Sequence, residues 1–371
     1  MAAFARRLHR RPDNTSSQAA RPGCSNTSAR TRIPIIDGNH LAPHVLETTA
    51  PTTPVADPMD AAMRQVDNVI RERLASRVAL VDQISRYIIG AGGKRIRPRL
   101  VLLFSQALGF EGPERYELAA IVEFIHTATL LHDDVVDESS LRRGRATANA
   151  MFGNAASVLV GDFLYSRAFQ MMVSIDRMRV LDVLADATNV IAEGEVLQLM
   201  NMHDPDIAVD AYLKVIRFKT AKLFEASARL GAVLCDAGPV LEEACADFGR
   251  SLGTAFQLVD DLLDYEGNSD ELGKNVGDDL REGKPTLPLL IAMERGSTDE
   301  RALIRHAIEH GELQKLPEIL AIVRRTGALD ATRAAAEQEA DKARVALSAL
   351  PESAARQALL ELCSRAIHRS S

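Results

Sequence analysis

The stretch Leu130-Leu131-His132-Asp133-Asp134-Val135-Val136-Asp137 constrains this chain more than any other. It is an apolar run, entered through Phe124 and Ile125, that ends in three carboxylates at i, i+1 and i+4. On a helix, Asp133 and Asp137 project from one face, one turn apart. Like charges at that spacing cost an isolated helix about 0.2–0.5 kcal/mol. A local rule broken in this way is expected at a functional site. A hard cation offsets the repulsion, because carboxylate oxygens suit Mg²⁺ and Mg²⁺ brings phosphate with it. The pattern returns in Phe256-Gln257-Leu258-Val259-Asp260-Asp261-Leu262-Leu263-Asp264-Tyr265. The intervening chain is long enough to fold back, so the two acidic turns can face each other. A solvated surface turn accounts for one copy but poorly for two.

The rest of the chain reads as helix. Aromatic residues make up only 4% of the 371 residues and Trp is absent, while Ala, Leu, Val, Ile, Glu, Arg and Asp dominate, which favours helix over strand. Ala62, Val66, Val69, Ile70, Leu74, Val78, Val81 and Ile84 recur at helical spacing. They predict helix from Met59 to a first break at Gly90-Ala91-Gly92-Gly93. Further helices are predicted over about 99–108, from Pro113 (a good first-turn residue) into the first acidic turn, over 154–174, 177–202 and 207–235, and from the Gly238-Pro239 turn to Tyr265. Residues 139–153 and 267–284 read as loops. Helix resumes at Pro285, with breaks near Gly296, Gly311, Gly327 and Pro351. No alternating β pattern is present, so residues 59–371 form one large all-α domain in this reading.

Residues 1–55 differ. They are rich in Arg, Ser, Thr and Pro, poor in acids and without sustained apolar periodicity, which predicts disorder. An Arg-rich, acid-poor start resembles an organellar transit peptide; an over-extended gene start, with initiation near Met59, is the alternative. Arg6-Arg7 has no apolar stretch after it, so export is not expected. No apolar run approaches the length of a membrane span. The formal charge of −7 carries no nucleic-acid footprint. Cys24, Cys235, Cys245 and Cys363 show no CxxC or metal spacing and read as thiols of a reducing compartment. A cytoplasmic protein is expected, or a mitochondrial one if the extension is a transit peptide.

Three basic sets suit a phosphate-rich ligand. In Gly92-Gly93-Lys94-Arg95-Ile96-Arg97-Pro98 the glycines permit unusual backbone angles, and Lys94 and Arg97 are spaced to grip one phosphate. Arg142-Arg143 follows the first acidic turn. Lys219-Thr220 forms the third set with Lys274, Asp278, Asp279, Arg281 and Lys284 of the later loop. Cations facing carboxylates across a cavity are costly unless ligands and metals balance them.

Taken together, GGKRIRP, LLHDDVVDESSLRRG, KTAKLFEAS, FQLVDDLLDY and LGKNVGDDLREGKPTLPL resemble the motifs of the trans-isoprenyl diphosphate synthases, in that family's order, over roughly residues 60–370. The stretches Phe124–Leu130, Phe152–Phe163 and Ile191–Leu199 are most similar to the bacterial octaprenyl diphosphate synthases. The resemblance implies a bundle of long helices around a deep cavity, usually in a homodimer. It implies that Asp133 and Asp137 bind Mg²⁺ from one side and Asp260 from the other, roughly two to three ions per site, with Asp134, Asp261 and Asp264 in support. Arg142, Lys219, Lys274 and Lys284 would hold the allylic diphosphate. Lys94, Arg97, His126 and Arg143 would hold isopentenyl diphosphate, and Thr220 and Gln257 would line the reacting centre.

The activity implied is repeated condensation of an allylic diphosphate, such as farnesyl diphosphate, with isopentenyl diphosphate. The product would be handed to membrane enzymes as the side chain of respiratory quinones. Ala128 and Thr129, one turn before Asp133, are small, which suits a long-chain product; Phe169 and Met172 are candidates for the cavity floor. A shorter-chain synthase, a terpene cyclase or squalene-type enzyme, and a non-catalytic subunit are the competing readings. A cyclase usually varies the second acidic motif and a non-catalytic subunit loses motif aspartates; both motifs are intact here.

Overall fold

The computed structural model describes residues 58–90, 92–142, 144–266 and 276–368, all within a compact unit that spans Val55–Ser371. The expectations for residues 1–55 lie outside the described residues.

The first predicted helix is two. α1 (Pro58–Leu74) buries Val66, Ile70 and Leu74, and α2 (Ala79–Ile89) buries Ile84 and Ile88. Between them the Val78 N–H donates to Ser76 Oγ at 3.1 Å, and Val78 is exposed with an extended backbone. A side chain that offers the backbone an alternative partner competes with helix. α3 (Ile96–Ala107) carries Pro98 in its first turn, where a missing N–H costs nothing.

α4 (Glu114–Val136) starts after Pro113 and runs through the core from Leu118 to Leu131. The predicted loop at 139–153 contains more structure than expected. Leu141–Arg142 pairs antiparallel with Arg145–Ala146, and a short α5 (Ala148–Phe152) follows. α6 (Asn154–Ser174) and α7 (Met178–Asn201) match their predicted spans.

The predicted helix over 207–235 is interrupted. α8 (Val209–Ile216) passes into a π-helical turn, Arg217–Ala221, and then into α9 (Lys222–Leu234). α10 (Pro239–Glu266) carries the second acidic turn. A one-turn α11 (Asp278–Arg281) precedes α12 (Leu287–Arg295), α13 (Thr298–His310), α14 (Leu316–Arg325), α15 (Ala328–Ala346) and α16 (Ala354–Ile367).

The architecture is an all-α bundle. α10 packs along α15 and α9, α4 along α6 and α3, and α3 along α9. The α10–π-turn contact is close because of Gly253. A Cβ there would lie 2.6 Å from the Ala221 Cα, so only glycine lets α10 approach the turn that carries Lys219 and Thr220. None of the described helices is long and apolar enough to cross a membrane.

Candidate active site

α4 and α10 bring the two acidic turns to one cavity of about 570 Å³. From α4 it is lined by Asp133 and Asp137 and, further back, by Thr129 and His126. From α10 come Asp260, Asp261 and Asp264. Ile191, Leu223, Phe224, Phe256 and Leu263 form its apolar wall.

Asp133 faces Lys219, whose Nζ lies 3.8 Å from Asp133 Oδ1 and 2.6 Å from Glu195 Oε2. The π-helical turn aims Lys219 inward; such turns occur mostly as local bulges at functional sites. Gly194 makes room for it, since a Cβ there would sit 2.6 Å from the Lys219 backbone nitrogen. Burial pushes the Glu195 carboxyl up to about 7, against the pull of Lys219 and with the help of the Asp133 charge.

On the same turn Thr220 Oγ1 donates to Gln257 Oε1 at 2.9 Å. Gln257 Nε2 then donates to Asp261 Oδ1 at 2.7 Å, and the Tyr212 hydroxyl donates to Asp261 Oδ2 at 2.5 Å. Asp261 is buried with both oxygens engaged. Burial first, and then the charge of Asp279, raise its pKa to about 7.

Asp137 caps the C-terminus of α4. Its Oδ2 accepts from Lys284 Nζ at 3.2 Å, and Lys284 also reaches Glu282 Oε2 at 2.5 Å. Burial alone would lower the Lys284 pKa, but Asp137, Asp279 and Glu282 more than reverse this, so it stays charged.

Asp134 points away from Asp133. It is fully buried, and its Oδ1 takes both Nε and Nη2 of Arg142 at 2.7 Å. Burial still raises the Asp134 pKa, against the Arg142 charge. Asp264 Oδ2 accepts the Asp279 N–H at 3.2 Å.

The donor set fits a hard cation. Asp137 Oδ1 is buried with no hydrogen-bond partner, and Asp133 and Asp260 border the same cavity. Carboxylate oxygens are the ligands that Mg²⁺ and Ca²⁺ take.

Lys94, Arg97, His126, Arg142, Lys219, Thr220, Gln257 and Lys284 all border this one cavity. The Arg97 guanidinium sits 4.4 Å above the centre of the Phe224 ring. Arg143 and Lys274 lie outside the described residues. Of the four positions expected to set chain length, Thr129 lines the cavity and three do not. Ala128, about 100° further round α4, is buried in the core. Met172 is buried in the same core, and Phe169 is exposed on α6. Glu195, Tyr212 and Glu282 escaped the sequence reading. A signal for Glu195 existed: Ile191, Glu195 and Gln198 share one face of α7, and all three line the cavity.

The family model described as Polyprenyl synthetase matches residues 78–323. The chain belongs to the polyprenyl synthetase family. It is 56% identical over 308 residues to the octaprenyl diphosphate synthase of Escherichia coli (strain K12), covering 83% of this chain and 95% of that protein. It is 48% identical over 305 residues to the all-trans-nonaprenyl-diphosphate synthase (geranyl-diphosphate specific) of Rhodobacter capsulatus, covering 82% and 94%. Among solved structures, it superimposes on the polyprenyl synthase of Caulobacter crescentus CB15, complexed with calcium and isoprenyl diphosphate. The TM-score is 0.81 at 46% identity, over 84% of this chain and 96% of that one. The fold expected from the motifs is therefore the fold observed, and the chain is a prenyltransferase.

Proposed function

We propose that the chain is a long-chain all-trans polyprenyl diphosphate synthase, with octaprenyl diphosphate as its product. The observation that carries this reading is a single cavity lined by both acidic turns, by cations and by apolar side chains. The E. coli relative bears the same product in its name, and the Caulobacter structure holds a divalent cation with an isoprenyl diphosphate.

In this proposal Asp133, Asp137 and Asp260 hold Mg²⁺, which supplies charge stabilisation of the departing diphosphate. Arg142, Lys219 and Lys284 bind the allylic diphosphate oxygens. Lys94, Arg97 and His126 bind isopentenyl diphosphate. Arg143 and Lys274 belong to these sets by resemblance. The allylic C1–O bond breaks, the isopentenyl double bond attacks C1, and loss of one proton to the departing diphosphate restores an allylic product. Ile191, Leu223 and Phe256 keep water from the carbocation. Thr220, Gln257 and Tyr212 orient Asp261 and with it the turn that carries Asp260.

A homodimer is part of this reading. α6 exposes Leu159, Phe169 and Val173, and α7 exposes Val196, Leu199 and Met200, a density of exposed apolar residues that marks an interface. A quinone side chain is the proposed fate of the product. Incubation with farnesyl and isopentenyl diphosphates plus Mg²⁺, resolved by chromatography, tests the proposal. A ladder ending at octaprenyl is expected; no chain extension with any divalent cation would refute it.

A further inference from the structure

Away from the cavity, the last two turns of α13 carry His306, Glu309 and His310 on an exposed face. Among the described residues these are the one group of three potential ligands whose donor atoms all lie within 4.8 Å of one another. None of them lines the catalytic cavity.

Three further observations point to a ligand. The two imidazoles, at i and i+4, lie with ring centres 4.2 Å apart. His310 Nδ1 lies 2.9 Å from the His306 carbonyl oxygen. A carbonyl partner requires the proton on Nδ1, which leaves the Nε2 lone pair for a metal; this is how ligating histidines are oriented. Glu312, just beyond the helix, places Oε2 3.7 Å from His306 Nε2, so a second carboxylate borders the pair.

Two imidazoles with a carboxylate form the donor set of Zn²⁺, Ni²⁺ and Cu²⁺, not of Mg²⁺. We propose that His306, Glu309 and His310 form a second metal site, selective for borderline transition cations and separate from the acidic turns. The site cross-links the end of α13. That turn also presents the Ile308 carbonyl to His203 Nδ1 at 3.0 Å, and the backbone N–H of His203 donates to the Gly283 carbonyl at 2.8 Å. Metal binding therefore braces the helix end that supports the backbone beside Lys284.

Calorimetric titration of chelator-treated, full-length protein in excess Mg²⁺ tests this, with Cu²⁺ and Zn²⁺ as probes. One transition-metal site is expected, its affinity falling at least about tenfold in His306→Ala and in His310→Ala. The site should be unchanged in His368→Ala, which alters an exposed histidine at the end of α16. Cu²⁺ paramagnetic resonance should show two coupled imidazole nitrogens in the parent and fewer in either variant. The substituted side chains are exposed, so both variants should keep the parent's urea midpoint. Equal binding by the parent and both variants, or no site that depends on His306 and His310, overturns the proposal.

Discussion

Arg142 donates through Nε and Nη2 to the same oxygen, Oδ1, of the fully buried Asp134, at 2.7 Å each. The second aspartate of the first acidic motif thus holds the hairpin that follows α4, while its neighbour Asp133 faces the cavity. One motif performs two tasks because adjacent helical residues point about 100° apart.

Arg142→Ala should destabilise the protein by about 3–5 kcal/mol, because it strands a buried carboxylate. Urea unfolding measures this. A loss below about 1 kcal/mol would show that Asp134 finds another partner or simply protonates.

Asp133→Asn is isosteric and lines the cavity rather than the packed core, so the variant should remain folded. It should lower kcat on the order of 10²-fold or more, in the range for loss of one electrostatic group at a reacting centre. The rise in Tm produced by Mg²⁺ with diphosphate should shrink in parallel. A variant that keeps full activity would remove Asp133 from the metal set.

Glu195 is raised to about 7 from 4.5. An acid with a raised folded pKa contributes stability that is complete below the unfolded value and is lost as pH climbs through the folded one. Metal-free Glu195→Gln should therefore gain in Tm relative to the parent between pH 4.5 and 7, with a plateau above. The same variant should raise KM for the allylic substrate, since the amide can still accept from Lys219 Nζ but no longer offers the carboxylate charge that lies 2.6 Å from it. A Tm difference that does not vary with pH would contradict the protonation assignment.

Thr129→Phe should shorten the product, because Thr129 lines the cavity and a phenyl ring would fill the path of the growing tail. Ala128→Phe, the same change at the neighbouring small residue, starts from a fully buried site. It should also lower stability by about 1–3 kcal/mol through overpacking. Chromatography of the products, alongside thermal melts, separates the two effects; an unchanged ladder in both variants would move the length determinant elsewhere.

The repeated acidic turns, the helical periodicity and the three basic sets were legible because each is local. A helix face follows from spacing, and a carboxylate cluster names its own partner. The resemblance those motifs carry implied that Asp133, Asp137, Asp260, Lys94 and Lys219 share one cavity, and all five border it. Three things needed the tertiary structure. Ser76 offers the Val78 N–H a competing partner, which divides α1 from α2. The π-helical turn that aims Lys219 depends on Gly194 and Gly253, contributed by two other helices. The rotation of α4 against its neighbours places Thr129 in the cavity and Ala128 in the core. Spacing along the chain determines which residues share a helix face. Which way that face turns is decided only when neighbouring helices compete for it, and the burial that decides this lies in packing across the bundle.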